Sequence, residues 1–270
     1  MTGIDTATCT MLVRAIAEDI AASDAKPGTT AAVSDMITHV RAVSEAAQTK
    51  LRLALGKLYP VIAWADEDGM PPCQTYWLYD PIDGAYHWLQ DLPLWASSLV
   101  LVRDDEPVMA IVYDPAMKEA FVATKGAGAT CNGVPIHVSA KHHLGAAVIG
   151  GTVPPIGQVG ETIQNEALHL LRAIAREVFI VRPIAAASLQ LAYVAAGRLD
   201  AYVENGGDVA DWLAGALLIR EAGGTVTDLA GNPCGWSGNG VLGANWTLHL
   251  ALRQLIEQQG EIIDSDKPGR

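Results

Sequence analysis

Trp77-Leu-Tyr-Asp80-Pro-Ile-Asp83-Gly84-Ala85-Tyr-His-Trp88 is the most informative stretch of the chain. Trp77, Leu78 and Tyr79 read as the end of a buried strand. Asp80 and Asp83 follow three positions apart, with Pro81 stiffening the turn between them. Gly84 then opens a short helix. This geometry can aim Asp80, Asp83 and the Ile82 carbonyl at one point, an oxygen donor set suited to a hard cation such as Mg2+. The backbone N–H groups of Gly84 and Ala85, at a helix start, would face an anion held by that cation. The plain alternative is a turn whose two carboxylates cap the following helix.

Before this stretch the chain is helical in pattern. Apolar positions Met11, Leu12, Ile16 and Ile20 predict a helix over 8–25, and residues 24–30 read as a loop around Pro27-Gly28. A long helix is expected over 34–58, capped by Ser34 and presenting Ile37, Val40, Leu51, Leu55 and Leu58. A short strand over 61–65 leads into Asp66-Glu67-Asp68, which alone reads as a solvated loop, and a turn over 69–72. After the central stretch, apolar runs over 95–103, 108–114 and 120–124 predict an antiparallel meander, with Asp104-Asp105-Glu106 as an exposed hairpin tip. Gly126, Gly128 and Asn132-Gly133 mark further turns.

A boundary falls near 142–146, which divides the chain into an α+β half (1–144) and an α/β half (145–270) of one catalytic unit. His142-His143 reads as surface. Beyond it strands over 147–151, 178–181, 199–204, 225–228 and 240–243 alternate with helices over 161–176, 186–196, 211–222 and 246–259. The first of these helices should turn Ile163, Leu168, Leu171 and Ile174 inward. Asp211 reads as opening its helix after the Asn205-Gly-Gly-Asp208 loop, and residues 264–270 as a frayed tail.

The chain has 270 residues, half of them apolar, and a net charge of −12. That length allows a substantial core. The acidic balance argues against a nucleic-acid partner and against an anionic membrane surface. A phosphate ester would need bound cations to approach it. Cys9, Cys73, Cys131 and Cys234 form no metal or disulfide pattern, which points to reduced thiols in a cytoplasmic protein. The first residues lack the basic and apolar regions of a signal peptide. Apolar runs are too short to span a bilayer.

Four segments together resemble the inositol monophosphatase family of Mg2+-dependent, lithium-sensitive phosphatases. Asp80-Pro-Ile-Asp83-Gly84 is similar to its first signature. Asp211-Trp-Leu-Ala-Gly followed by Glu221-Ala-Gly-Gly224 is similar to its second. Lys125-Gly-Ala-Gly-Ala with Asn132-Gly-Val-Pro-Ile-His-Val-Ser139, and Ala195-Ala-Gly-Arg-Leu-Asp-Ala-Tyr-Val-Glu204, resemble two more. The resemblance covers roughly residues 35–246. It implies an αβαβα sandwich and a homodimer acting on a small phosphorylated substrate. It implies two or three Mg2+ ions on Glu67, Asp80, the Ile82 carbonyl, Asp83 and Asp211, with Mn2+ as a substitute and Li+ or Ca2+ as inhibitors. Glu67 would orient the attacking water, with Asp83 beside it in catalysis. Gly84, Ala85, Ala185, Ala186, Ala187, Glu204 and Asp211 would meet substrate, Glu204 through its hydroxyls.

The chemistry has its own logic. Carboxylates gathered in one cleft repel, so their pKa values rise unless cations neutralise them. Such cations acidify a water and stabilise the leaving alkoxide, and in-line attack on phosphorus then needs mainly positioning.

The chain also departs from the family pattern. Ala85 stands where the family has a hydroxyl, and Arg41 where it has a carboxylate supporting the same water and an additional metal. Ala210 replaces a Trp and His87 an Asn. Arg41 would contact phosphate directly or leave the site slow; the sequence leaves both open. The leading reading is a phosphomonoesterase for inositol monophosphate or a related polyol phosphate. The alternatives are a 3′-phosphonucleotide or sugar bisphosphate phosphatase, and an impaired family member kept as a binding or regulatory protein.

Overall fold

A computed structural model describes residues 3–23, 32–65, 73–235 and 238–265, with side chains to Gln258. The loop expected over 24–30, the Asp66-Glu67-Asp68 triplet, the turn over 69–72 and the tail beyond 265 lie outside the described residues.

Two helices, α1 (Thr6–Ala21) and α2 (Val33–Leu58), precede a seven-stranded sheet whose spatial order is its chain order. The sheet comprises β1 (Ala63–Trp64), β2 (Thr75–Asp83), β3 (Ala96–Arg103), β4 (Glu106–Asp114), β5 (Glu119–Thr124), β6 (Ala129–Cys131) and β7 (Val134–Pro135), with the one-turn helix α3 (Ala85–Leu89) after β2. Four strands then alternate with three helices, followed by a last strand and helix. They are β8 (Val148–Gly151), α4 (Ile156–Ala175), β9 (Ile180–Pro183), α5 (Ala187–Ala195), β10 (Ala201–Glu204), α6 (Val209–Glu221), β11 (Thr225–Thr227), β12 (Val241–Ala244) and α7 (Trp246–Ser265). The second sheet runs β11-β12-β10-β8-β9, mixed parallel and antiparallel.

The layers follow from which side of each strand is apolar. Along β2, Trp77 and Tyr79 face one side and Tyr76 and Leu78 the other. Trp77 and Tyr79 join Leu99, Leu101, Ile111 and Tyr113 against Cys9, Val13, Leu51 and Leu55 of α1 and α2. Tyr76 and Leu78 join Val100, Val112 and Phe121 against α5 and α6. A sheet buried on both faces reads as continuous apolar runs, as these strands do. The second sheet packs Ile149, Val203 and Leu242 against Leu171 and Ile174 of α4 and Leu248 and Leu252 of α7. Helices, sheet, helices, sheet and helices thus stack as the expected αβαβα sandwich.

The central layer, α5 and α6, is buried all round. Gly215 of α6 makes it thin: a Cβ there would lie 2.1 Å from the Leu191 Cβ of α5. At the far end of α6, the Glu221 carboxylate accepts the N–H groups of Gly126 and Gly128, each at 2.8 Å. The hairpin between β3 and β4 turns on Asp104 and Asp105, both with positive φ, as a two-residue turn requires.

Several expectations are corrected. β1 pairs with β2 in parallel, so the first sheet is not wholly antiparallel. Ser34 lies inside α2; Ala32 holds the N-cap position, and its N–H goes to the Asp35 carboxylate at 3.2 Å. Ile37 and Leu58 of that helix are exposed, since its buried face runs through Ala47, Leu51 and Leu55. α4 begins earlier than expected and breaks at Gly160 (φ 79°, ψ 170°). Ile163 and Leu168 are exposed, leaving burial to the last turns of α4, at Leu171 and Ile174. Asp211 does not open α6; that helix starts two residues earlier, after Asp208.

Candidate active site

The acidic stretch sits where β2 ends. Asp80 pairs opposite Ser98 and Asp83 opposite Ala96, so three steps on β2 match two on β3. The extra residue is a bulge at Pro81-Ile82, a place where the missing proline donor costs nothing. The Asp80 carboxylate accepts the Ile82 N–H at 2.9 Å, closing the bend. The chain then turns sharply at Gly84, with φ +86°; a Cβ there would come within 2.9 Å of both the Ala186 Cβ and the Leu94 carbonyl oxygen. Only glycine combines that φ with that closeness. α3 follows, and His87 Nδ1 lies 2.8 Å from the Leu94 carbonyl, tying the short helix to the next strand.

The start of α5 meets this bend. Asp83 is buried, and its carboxylate accepts the Ala187 N–H (3.2 Å), the Ser188 N–H (2.7 Å) and the Ser188 hydroxyl (2.5 Å). Ala186 and Ala187 are buried at this junction, whereas Ala185 is exposed. Asp211 stands in the first turn of α6. Burial pushes Asp80 up to about 6. Burial, and then the nearby Asp80, push Asp83 up to about 7. Asp211 is raised well above the usual carboxylate range by burial and then by Asp83 and Asp80. Asp80 thus acts on Asp83, and both act on Asp211.

Glu204 ends β10 nearby. Its Oε2 accepts the Trp212 indole N–H at 2.9 Å and the Tyr202 hydroxyl. Burial raises it to about 7 against these two donors. Glu67 lies outside the described residues. Arg41 and Ala85, from α2 and α3, line one cavity. Three residues here escape the sequence reading. Ser188 is one polar residue at the end of an alanine run, and Tyr202 and Trp212 fix the Glu204 carboxylate.

Oxygen donors of this kind fit a hard cation. Among the described residues no Lys or Arg pairs with Asp80, Asp83, Asp211 or Glu204. Among those residues, too, no three His, Cys, Asp or Glu side chains converge closely enough to hold an ion by themselves. Both Asp83 oxygens turn toward α5. Three of their roughly four lone-pair sites are taken, which leaves about one for a cation.

A stability prediction follows. Asp80, Asp83 and Glu204 all have folded pKa values above their ordinary ones. The stability they contribute is complete below about pH 4 and is lost as pH rises to about 7. In chelator, the melting temperature of wild type should fall across that window. Glu204→Gln should fall less, because the amide keeps an acceptor for Trp212 without a charge. Parallel curves for the two proteins would refute the assignment.

The sequence of this chain matches the family model described as "Inositol monophosphatase family" over residues 5–261. It is 36% identical to the inositol-1-monophosphatase of Rhizobium meliloti strain 1021, over 82% of this chain and 83% of that protein. It is 35% identical to the Nus factor SuhB of Pseudomonas aeruginosa, over 73% of this chain and 75% of that one. Its fold superposes on the crystal structure of the extragenic suppressor protein suhB from Bartonella henselae with a TM-score of 0.77 and 27% identity, covering 94% of this chain and all of that one.

Proposed function

The chain belongs to the inositol monophosphatase family, and from that premise we propose that it is a metal-dependent phosphomonoesterase for inositol monophosphate or a related polyol or sugar phosphate. The observation that carries this reading is the buried carboxylate group Asp80, Asp83 and Asp211, in which Asp80 raises Asp83 and both raise Asp211, with no cationic side chain paired to any of them among the described residues. Evolutionary membership gives the chemistry a precedent; the electrostatics give this chain a need for cations.

In this reading Asp80, the Ile82 carbonyl, Asp83, Asp211 and Glu67 hold Mg2+, and Glu67 orients the water. Mg2+, when bound, supplies charge to the phosphoryl oxygens and acidifies a water. The chain's own contribution is placement. The bulge at Pro81-Ile82 sets the spacing of Asp80 and Asp83. Ala187 and Ser188 fix the plane of the Asp83 carboxylate. Gly84 brings its own backbone and that of Ala85 to the phosphate, while Ala185, Ala186 and Ala187 form one wall for the alcohol. Glu204, held by Trp212, accepts from substrate hydroxyls with its second oxygen.

Phosphate release from a panel of esters, with Mg2+ and with chelator, tests the reading; no Mg2+-dependent release from any polyol phosphate would end it. Glu204→Gln sharpens the test. It should weaken kcat/KM for inositol monophosphate by about tenfold and spare p-nitrophenyl phosphate, which has no hydroxyls to recognise. Equal losses would remove Glu204 from substrate recognition.

A second reading has its own support. Ala85 and Arg41 together replace the hydroxyl and carboxylate that the family resemblance implies beside the water, and they line the same cavity. A chain with slow turnover and intact architecture suits a binding or regulatory role, and one relative, from Pseudomonas aeruginosa, carries the name Nus factor SuhB. Binding of inositol monophosphate without measurable release would favour it.

A further inference from the structure

A cavity of about 350 Å³ opens between α2, α3 and the first turn of α4. Arg41, Glu45, Ala85, Tyr86, Leu89 and Gln158 are on its walls. It adjoins the acidic bend through Ala85, the residue after Gly84, yet none of the carboxylates Asp80, Asp83 or Asp211 lines it. It is therefore beside the place where a phosphate would sit, on the side toward α2.

Two features make it selective. The first is charge. Arg41 is exposed and makes no ion pair among the described residues, whereas Arg14, Arg198 and Arg253 each pair with a glutamate. Glu45 lies one helical turn on, within the same cavity, but outside ion-pair distance of Arg41. The second is exposed apolar surface. Ile37, also on the wall, is 46% exposed, and Tyr86 is 38% exposed. A guanidinium with no ion pair among the described residues, beside exposed apolar side chains, suits a group that is apolar along its stem and anionic at its end.

We propose that this cavity is a subsite for a second anionic group, a carboxylate or a phosphate, carried on an apolar or aromatic stem of the phosphate ester. The proposal rests on the phosphatase reading for the placement of the first phosphate. Arg41 receives the second anion, Ile37 and Tyr86 flank the stem, and Glu45 weakens the fit by its own charge.

The test measures binding, so it needs no turnover. Phenylphosphonate and 4-carboxyphenylphosphonate, which are not hydrolysed, are titrated calorimetrically into the full chain with Mg2+. The carboxylated compound should bind wild type about tenfold more tightly. That ratio should fall to about one in Arg41→Gln and rise in Glu45→Gln, both surface changes whose folding is checked by thermal melting. Equal affinities in wild type, or a ratio that survives Arg41→Gln, overturn the subsite. Wild type that binds neither compound overturns it too. Release of phosphate from p-nitrophenyl phosphate, measured separately, then says whether the phosphatase reading falls with it. Comparing 4-carboxyphenylphosphonate with its 4-phospho counterpart distinguishes a carboxylate from a phosphate as the preferred second group.

Discussion

Asp211→Asn is expected to lower Mg2+-dependent phosphate release by about 10³-fold while making the chelated protein more stable. The two effects have one cause. The Asp211 carboxylate is buried, and its charge is opposed by Asp83, Asp80, Asp208 and Glu204. It accepts no hydrogen bond among the described residues. Asparagine keeps the shape and removes the charge, so in chelator the repulsion drops and the melting temperature rises by a few degrees. The same change removes an anionic ligand, so Mg2+ should no longer raise the melting temperature by linkage. Kinetics in Mg2+ and melting curves in Mg2+ and chelator check all three. A variant that loses stability in chelator, or keeps its Mg2+ response, would make Asp211 a structural residue and move the metal elsewhere.

Gly215→Ala should destabilise the fold by about 3 kcal/mol or more, a loss of roughly 6 °C in melting temperature. The added Cβ would stand 2.1 Å from the Leu191 Cβ and 2.8 Å from its Cδ1. Trimming Leu191 to alanine in the same chain should not restore stability, because the Cβ that clashes remains. Relief requires α5 and α6 to separate, and both sheets pack on those helices. The site should register the same movement. α5 holds Asp83 through Ser188, and α6 carries Asp211. A wider gap between the helices moves those carboxylates apart, so the variant should also need more Mg2+ for half-maximal stabilisation. A drop of under 1 kcal/mol with unaltered Mg2+ dependence would show the helix pair to be more yielding than its packing implies.

The sequence announces what is local. Strand, acid pair, glycine and short helix can be read from Trp77 to Trp88, because apolar runs, Pro81 and Gly84 constrain the backbone directly. The layered order is implied by the family resemblance; local pattern adds that runs such as Leu99 to Val102 are apolar on both faces and so need cover on both. Ser188 is not legible. Its partner Asp83 is 105 residues away, and nothing in a run of small residues marks the one hydroxyl that matters. Trp212 likewise looks like core until Glu204 appears beside its indole N–H. The reading of α4 from Glu161 misses the turn that precedes Gly160, and its periodicity assigns Ile163 and Leu168 to the interior although both are exposed. Glu67 stays an inference from family resemblance, outside the described residues.

Glu221 and the two glycine N–H groups it grips have a bearing on how kinship and activity relate. Ten residues of α6 separate Glu221 from Asp211, which at 1.5 Å per residue is about 15 Å. The carboxylate near the reacting groups and the carboxylate that fastens the Gly126–Gly128 loop thus lie at opposite ends of one rod. Two of the four signature segments meet at that fastening. A descendant could lose its phosphate chemistry entirely and still carry them, since the loop would come loose without them. Such segments are heirlooms of architecture. Ancestry is written at one end of α6 and occupation at the other.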